Sequence, residues 1–184
     1  ASRVGDMIKD DVNKGFSLVL LAGRFEAGNY KQCELIFPLV DLMKDTVPFK
    51  IMILADEGEV AVEQRYRNRL VFLGRVSDAE LAYVYKHATC SISLSSWEGF
   101  NLNIAESQSF GTPCFAFDVA AHPEVIYDAY FLCTDLAEMG QKVGEYLVKG
   151  RTADDSRTTK LDRWIAGFQW ANVRKDYVDS ILDR

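Results

Sequence analysis

The apolar residues of this chain form short continuous runs separated by longer mixed segments. Runs of this length are typical of strands buried on both faces of a sheet, and they occupy residues 16–22, 49–54, 70–73, 90–94, 114–117 and 130–133. The segments between them predict helices over residues 31–43, 63–68, 102–110, 135–148 and 158–182. Strands and helices therefore alternate along most of the sequence.

Local signals mark where two of the helices begin or end. Ser77 followed by Glu80 three positions later forms a capping box, so a helix is predicted to begin there. The helix over residues 102–110 is expected to stop at Gly111, with Pro113 shortly after it, a common C-terminal signature.

Two other helices contain residues that disfavour a regular helix. Pro38 is expected to interrupt the helix over residues 31–43, because proline has no amide hydrogen to donate. Gly167 is expected to break the helix over residues 158–182, since glycine is a poor helix former.

The alternation predicts an α/β fold: a single Rossmann-like, doubly wound parallel sheet of about six strands with helices on both faces. In such sheets the crossovers are right-handed, and ligands bind beyond the carboxyl ends of the strands. Residues 16–184 are expected to form this one domain. Residues 1–15 are polar and contain no strand, so they are interpreted as a linker or N-terminal extension entering from sequence upstream.

Composition and charge limit the possible partners. The chain has 184 residues, of which 48% are hydrophobic, enough for a substantial core. Lys and Arg number 21 against 27 Asp and Glu, for a formal net charge of -6. There is no basic stripe, so nucleic acid is not expected as a partner. A small anionic ligand stays possible, because it needs only local positive charge.

No metal site or membrane span is expected from the sequence. The four cysteines have no C-x-x-C spacing and are interpreted as reduced, buried thiols of a cytosolic protein. No apolar run reaches the roughly 20 residues that a membrane-spanning helix needs. A cytoplasmic location is expected, with membrane association only through parts of a longer protein.

The segment over residues 95–113 carries the most chemistry. It follows a buried run and leads directly into a helix, whose first amide groups near Leu102 and Asn103 offer unpaired N–H donors and the positive end of the helix dipole. Such a helix start is suited to binding phosphate. Glu98 lies in the loop and Glu106 one turn into the helix, while Gly99 permits close approach of a ligand to the backbone.

This segment resembles the carboxyl-terminal domain of glycosyltransferase family 4, a family of retaining enzymes with the GT-B fold. The family pattern is roughly P-S-x-x-E-G-F-G-L, three residues, then E-A-x-A-x-G-x-P. This chain keeps its spacing with Ser95, Glu98, Gly99, Phe100, Leu102, Glu106, Gly111 and Pro113. The resemblance extends to the segments 71–75 (VFLGR), 120–125 (AAHPEV) and 168–170 (FQW), and to Tyr177 and Leu182.

The resemblance implies a role for each matching position. Glu106 would bind the ribose hydroxyls of a nucleotide-sugar donor, and Glu98 would lie beside the donor sugar. Arg24 matches the family's diphosphate-binding arginine and would stabilise the leaving group. The remaining donor-binding positions are the backbone amides of Asn101, Leu102 and Asn103, the loop residues Gly99 and Phe100, and the turn Gly74–Arg75 facing the base.

Three departures from the family pattern stand out. The family has a lysine five residues after the arginine, where this chain has Asn29, so either Lys31 takes that role or the role is lost. Asn101 replaces the second glycine of E-G-F-G, a mild change because asparagine tolerates unusual backbone angles. Ala120 and Ala121 replace a pair of glycines, which is expected to alter the sugar pocket.

The sequence therefore predicts the donor-binding domain of a retaining glycosyltransferase of the hexosyltransferase type. It would take a UDP-sugar or GDP-sugar, with no cofactor and no metal, and would need an N-terminal acceptor-binding domain for transfer. Alone, it is expected to be inactive or weakly active. Two alternatives stay open: a non-catalytic, degenerate transferase module that senses or scaffolds, and a nucleotide-sugar epimerase, for which acid and base groups are not evident.

Overall fold

The structure is a computed structural model that describes residues 3–21, 29–149 and 155–167. The chain divides into two compact units, Ala1–Arg151 and Thr152–Arg184. The first contains the sheet and seven helices of the described residues. In the second, the structure describes one helix, α8 (Asp155–Gly167). The prediction that residues 16–184 form one domain stays a prediction.

The sheet has six parallel strands. These are β1 (Ser17–Leu21), β2 (Phe49–Ile53), β3 (Leu70–Phe72), β4 (Cys90–Ser93), β5 (Cys114–Phe117) and β6 (Leu132–Cys133). Their order is β3-β2-β1-β4-β5-β6, and every neighbouring pair is parallel. The predicted doubly wound sheet is confirmed. The chain winds outward from β1 to β3, then returns to place β4 beside β1, so the topological switch point lies between β1 and β4.

Helices cover both faces of the sheet. They are α1 (Arg3–Asn13), α2 (Ile36–Met43), α3 (Gln64–Arg67), α4 (Asp78–His87), α5 (Leu102–Ser109), α6 (His122–Val125) and α7 (Leu136–Lys149). The predicted capping box begins α4: the Ser77 amide donates to Glu80 at 3.0 Å, and the Ser77 hydroxyl accepts from the Glu80 amide. Gly111, with φ 75°, follows the end of α5 as predicted.

The segment before β1 is polar in composition, but it forms a helix, α1, that packs against the core. Val4 and Ile8, one turn apart on α1, are fully buried against Leu18, Leu20 and Tyr85. The polar composition of residues 1–15 hides this narrow apolar stripe, so a plain linker does not describe residues 3–13. They contribute directly to the core beneath β1.

Other elements differ from the sequence expectations in position. Pro38 is the third residue of α2, where its missing amide hydrogen has no intrahelical acceptor to lose, so the helix is not interrupted. Helix α8 begins at Asp155, three residues before the predicted start at residue 158. The expected continuation to residue 182 lies outside the described residues, as do FQW at 168–170, Tyr177 and Leu182.

Candidate functional site

The candidate site lies where β1 and β4 end at the same edge of the sheet. A loop over residues 94–101 leads from β4 to the first residue of α5, Leu102. Two further segments approach this loop: residues 29–31, which precede α2, and residues 120–122 at the start of α6. This is the crevice in which doubly wound sheets bind ligands.

The start of α5 presents its amide groups without a side-chain cap. Asn101 precedes the helix with φ 64° and ψ 75° and makes no side-chain capping bond. Its carbonyl accepts from the amide of Ile104 at 3.1 Å, which leaves the amides of Leu102 and Asn103 as the helix's N-terminal donors. Leu102 is 66% exposed, so this end of the helix is open to ligands. Its dipole and its donors both favour an anion.

Glu98 is paired with Lys31 beside this helix start. One carboxylate oxygen of Glu98 accepts from the Lys31 ammonium, and the Ser95 hydroxyl donates to the same oxygen at 3.0 Å. The side chains of Glu98 and Lys31 are only 12% and 20% exposed, respectively. The structure therefore brings the Lys31 ammonium to Glu98. Whether Lys31 takes the role of the family's lysine, in place of Asn29, stays a prediction.

Backbone contacts fix Lys31 against the loop after β4. The Lys31 amide donates to the Asn29 side-chain oxygen at 2.7 Å, which shapes a tight turn. The Ser96 amide donates to the Tyr30 carbonyl at 2.8 Å, and the Tyr30 and Trp97 rings meet edge to face. Two segments that are 66 residues apart in sequence, counted from Tyr30 to Ser96, are thus joined as one surface, and Lys31 projects from it.

Asn101 has a second role through its side chain. The side-chain nitrogen lies 2.9 Å from the Ser93 hydroxyl and 3.1 Å from Nε2 of His122, while Nδ1 of His122 lies 2.8 Å from the carbonyl of Phe117. Burial lowers the pKa of His122, and the Phe117 carbonyl and Glu98 oppose this only in part. His122 is therefore a neutral, buried member of a polar network behind the loop.

Glu106 extends from the second turn of α5 into solvent. The Tyr85 hydroxyl, from the neighbouring helix α4, donates to its carboxylate at 3.1 Å. Burial, together with the negative charge of Glu106, raises the pKa of Tyr85 well above its usual value, so the hydroxyl keeps its proton and stays a donor. The contact restrains the Glu106 carboxylate while one of its oxygens stays available to a ligand.

The turn Gly74–Arg75 follows β3 at the same edge of the sheet. Gly74 has φ 62°, and a Cβ built at this position would lie 2.5 Å from the Asp56 carboxylate oxygen. The positive φ favours glycine here, whereas the Asp56 carboxylate could turn away from a Cβ. The Arg75 side chain is exposed, and its carbonyl accepts from the Arg3 guanidinium at 2.9 Å.

The family's lost glycines leave their backbone conformation in place. Asn101 and Ala120 both have positive φ, 64° and 51°, the left-handed region that glycine adopts without strain. Gly99, which was kept, is exposed, and a Cβ there would meet nothing within 4 Å. Phe100 is exposed beside it, as is Trp97. Asn101 and Ala120 therefore have backbone angles that a glycine would adopt without strain.

The expected role of Arg24 and the expected absence of a metal both stay predictions. Arg24 lies outside the described residues, so its role stays a prediction. Over residues 3–21, 29–149 and 155–167, no three His, Cys, Asp or Glu side chains are grouped so as to hold a metal ion. Burial raises the pKa of the Cys114 and Cys133 thiols to about 12, and these two with Cys33 and Cys90 are buried cysteines that form no disulfide.

Sequence reasoning missed three residues that organise the site: Tyr85, Ser93 and Ser95. No local pattern indicates that the Tyr85 hydroxyl meets Glu106. Nor does any local pattern indicate that His122 is buried, as it is at the start of α6. The helical pattern shows which face of a helix is buried, but not which polar atom of another element contacts that face.

Comparison with known proteins gives the family. The chain has the α/β fold of GT-B glycosyltransferases, and residues 17–149 match the family model described as glycosyl transferases group 1. This chain therefore belongs to the group 1 glycosyltransferases. No helix in the part of the chain that the structure describes is long and apolar enough to cross a membrane.

Three similar proteins illustrate the match. O-antigen chain mannosyltransferase B of Escherichia coli is 41% identical over 112 residues, 59% of this chain and 29% of that protein. An uncharacterised 41.2 kDa protein of the cps region of Klebsiella pneumoniae is 28% identical over 127 residues, 68% of this chain and 34% of that protein. The crystal structure of Anabaena HepE with UDP and glucose superposes with a TM-score of 0.67 at 16% identity, covering 100% of this chain and 53% of HepE. The chain thus spans about a third of the length of the curated relatives it matches.

Proposed function

We propose that this chain is the donor-binding half of a retaining glycosyltransferase of family 4, and that it binds a nucleoside-diphosphate sugar at the start of α5. The observation that carries the proposal is the Lys31–Glu98 pair, held next to the uncapped amides of Leu102 and Asn103. A cation, a carboxylate and a helix N-terminus within one loop match the charges of a sugar diphosphate.

The donor's parts are assigned to the residues around this loop. The diphosphate would accept hydrogen bonds from the amides of Leu102 and Asn103, with Lys31 supplying positive charge. Glu98 would then accept from hydroxyls of the donor sugar, once the diphosphate competes for the Lys31 ammonium. Glu106 would accept from the ribose hydroxyls with its free oxygen, and the turn Gly74–Arg75 would face the base.

The chemistry we propose rests on leaving-group stabilisation. As the bond between the anomeric carbon and the diphosphate oxygen breaks, negative charge grows on the diphosphate. Lys31, Arg24 and the dipole of α5 would stabilise that charge without a divalent metal. Glu98 would hold the sugar so that the acceptor attacks with retention, and positioning would supply much of the rate.

The donor and the partner domain follow from the relatives only as proposals. HepE was crystallised with UDP and glucose, and the Escherichia coli relative is a mannosyltransferase, so UDP-sugars and GDP-sugars of hexoses are the donors to test first. Because the chain spans about half of HepE, we propose that an acceptor-binding domain outside this sequence completes the enzyme. The 184-residue chain would then bind donor and transfer little.

Calorimetric titration of the chain tests the proposal directly. UDP, GDP, UDP-glucose and GDP-mannose are titrated, and one base is expected to bind tighter than the other. Lys31→Met is expected to weaken diphosphate binding by about tenfold, or about 1.4 kcal/mol, and binding of the matching nucleoside much less. Lys44→Met, which removes an exposed lysine just after α2, is the matched control and should bind as the wild type does.

Two further variants separate the phosphate and ribose roles. Glu106→Ala is expected to weaken nucleoside and nucleotide binding alike, because the ribose is common to both. Arg24→Ala is expected to weaken diphosphate binding more than nucleoside binding. If Arg24→Ala weakens diphosphate and nucleoside binding equally, Arg24 does not contact the phosphates. If Glu106→Ala binds nucleotide as the wild type does, Glu106 does not bind the ribose.

A non-catalytic module is the second candidate, and the substituted glycines favour it. In that case none of the four ligands binds to the wild-type chain. The positive φ of Asn101 and Ala120 supports the transferase, because the loop keeps the conformation that the family's glycines would give it.

A further inference from the structure

Asn101 does more than tolerate the backbone angle that the loop requires. A glycine would adopt φ 64° with no side chain at all. Instead, the chain places an amide there that is 6% exposed and contacts Ser93 at the end of β4 and His122 at the start of α6. These contacts join three segments that are distant in sequence.

The hydrogen-bond directions in this network are fixed by one carbonyl. The Phe117 carbonyl can only accept, so Nδ1 of His122 carries the hydrogen that points to it. In the neutral ring Nε2 then has a lone pair, and it accepts from the Asn101 amide nitrogen. That nitrogen also donates to the Ser93 hydroxyl, so both hydrogens of the Asn101 amide are used. The Asn101 side-chain oxygen is buried and, among the described residues, has no hydrogen-bond partner.

A second buried amide on the same helix shows what a purely structural role looks like. Gln108, near the end of α5, donates to the Val125 carbonyl at 2.8 Å and accepts from the Tyr127 amide at 3.2 Å. Both of its polar atoms are paired. Asn101 instead leaves its oxygen unpaired, which costs stability that a glycine would not lose. Stability therefore does not explain the asparagine.

We propose that Asn101 is a positioning residue that holds the loop bearing Glu98 and the first amides of α5 as one rigid unit against α6. The proposal rests on the proposed function. The backbone supplies a second tie between the same segments, since the Ala121 amide lies 3.4 Å from the Glu98 carbonyl. Through Asn101 and His122, the amides that would bind diphosphate and the carboxylate that would bind sugar keep a fixed spacing.

The Asn101→Gly variant tests this role, because it keeps the backbone conformation and removes only the side-chain ties. Its thermal unfolding midpoint is expected to fall less than that of Gln108→Met, because glycine relieves the positive φ and removes the unpaired buried oxygen together with the two bonds. Its affinity for the nucleotide sugar that the wild type binds is expected to fall by about tenfold, and its affinity for the corresponding nucleoside by less than about twofold. A looser helix start weakens the diphosphate and sugar contacts without touching the ribose.

Gln108→Met is the matched control, since it removes a buried amide of similar size from the same helix. Its effects are expected to be the reverse: a lower unfolding midpoint and near wild-type affinity for the nucleotide sugar. If Asn101→Gly binds the nucleotide sugar as tightly as the wild type, the positioning role is refuted and the proposed function stands. If the wild type itself binds no donor, the proposed function fails.

A readout without ligand tests the rigid unit by itself. In ¹⁵N spectra of the wild type, Nε2 of His122 is expected to show the shift of an unprotonated ring nitrogen and Nδ1 that of a protonated one. In Asn101→Gly the amides of Ile104 and Ala105, which bond to the Asn101 carbonyl, are expected to exchange with solvent faster by about fivefold or more. Unchanged exchange at these amides would overturn the proposal even where affinity falls.

A double-mutant cycle tests whether Asn101 and His122 act together. If they form one unit, Asn101→Gly and His122→Asn combined should weaken nucleotide-sugar binding about as much as either change alone. Additive losses would mean that Asn101 acts on the loop without His122, which contradicts the proposed network.

Discussion

The two ends of helix α5 differ in how their polar groups are paired, although the helix is only eight residues long. Buried, paired polar groups close the C-terminal end of α5. The Ser107 hydroxyl bonds to Ser91 and to the Thr112 carbonyl, and the Thr112 hydroxyl donates to the Tyr85 carbonyl. The start has uncapped amides, exposed Leu102 beside it, and the unpaired Asn101 oxygen. We call the C-terminal end around Ser107 and Thr112 the closed end of α5, and the N-terminal end around Asn101 and Leu102 its open end.

The difference shows how stability and binding capacity are separated along a single element. Pairing every buried donor and acceptor, as around Ser107 and Thr112, adds stability but leaves no group for a ligand. Leaving amides free at a helix start lowers stability but prepares a site for an anion. Substitutions at the closed end should therefore affect unfolding, and those at the open end should affect binding.

The largest expected effect is at the closed end. Thr112→Val keeps the shape of the side chain but removes the hydroxyl that donates to the Tyr85 carbonyl within the core. We expect the free energy of unfolding to fall by about 2 kcal/mol, measured by urea denaturation. Nucleotide affinity should be unchanged. A loss of affinity without a loss of stability would contradict the division between the two ends.

The next effect concerns pH and the network behind the open end. Burial holds the pKa of His122 below its ordinary value of 6.5, so the unfolded chain binds a proton more readily than the folded one. The stabilising contribution is complete above pH 6.5 and is lost as pH falls from there through the folded-state pKa. Protonation would also place a hydrogen on Nε2, where the Asn101 amide now donates.

Urea denaturation between about pH 7.5 and about pH 5.5 measures this contribution. The wild type is expected to lose more unfolding free energy over that interval than His122→Asn does. The other histidine of the chain provides the control, because His87 is exposed at the end of α4, and His87→Asn should follow the wild type. Equal slopes for the wild type and His122→Asn would show that His122 is not held neutral by the fold.

A smaller effect is expected at Tyr85, which links the two ends. Tyr85→Phe removes the hydroxyl that restrains the Glu106 carboxylate but keeps the ring packed in the core. We expect nucleotide affinity to fall by about threefold, since Glu106 must then be ordered by the ligand. Tyr83→Phe, on the same helix but stacked on His87, should have no effect. Calorimetric titration of both variants with the same nucleotide decides between these outcomes.

The smallest effect is expected at the open end itself. Leu102→Ala should change the free energy of unfolding by less than about 0.5 kcal/mol, because the side chain is largely exposed and packs little. A loss as large as that of Thr112→Val would mean that the helix start is packed in solution, and that it is no site for a ligand.

Much of the fold could be predicted from local sequence. The six apolar runs became the six strands, because a strand covered on both faces must be apolar throughout. Ser77 and Glu80 began α4 because a capping box is a contact within four residues. Helix α1 was missed, since Val4 and Ile8 are too few to outweigh its polar composition, although they are buried.

The candidate site was predictable only in part. Glu98, Glu106 and the start of α5 follow from one contiguous motif and a strand-to-helix turn. The pairing of Lys31 with Glu98 could not be read from spacing, because it depends on how residues 29–31 fold onto the loop after β4. The partners of Asn101 and Tyr85 were also out of reach, since each pair comes from different elements.

By itself, the sequence determined the six strands, most of the helices and the motif that points to a glycosyltransferase, because these depend on periodicity and on contacts between near neighbours. Only the tertiary structure decided that Lys31 meets Glu98, that Tyr85 meets Glu106, and that Asn101 meets His122. The physical reason is that parallel strands bring loops from distant parts of the chain to one edge of the sheet. Which side chains meet there depends on packing across the whole core, and no local pattern records it.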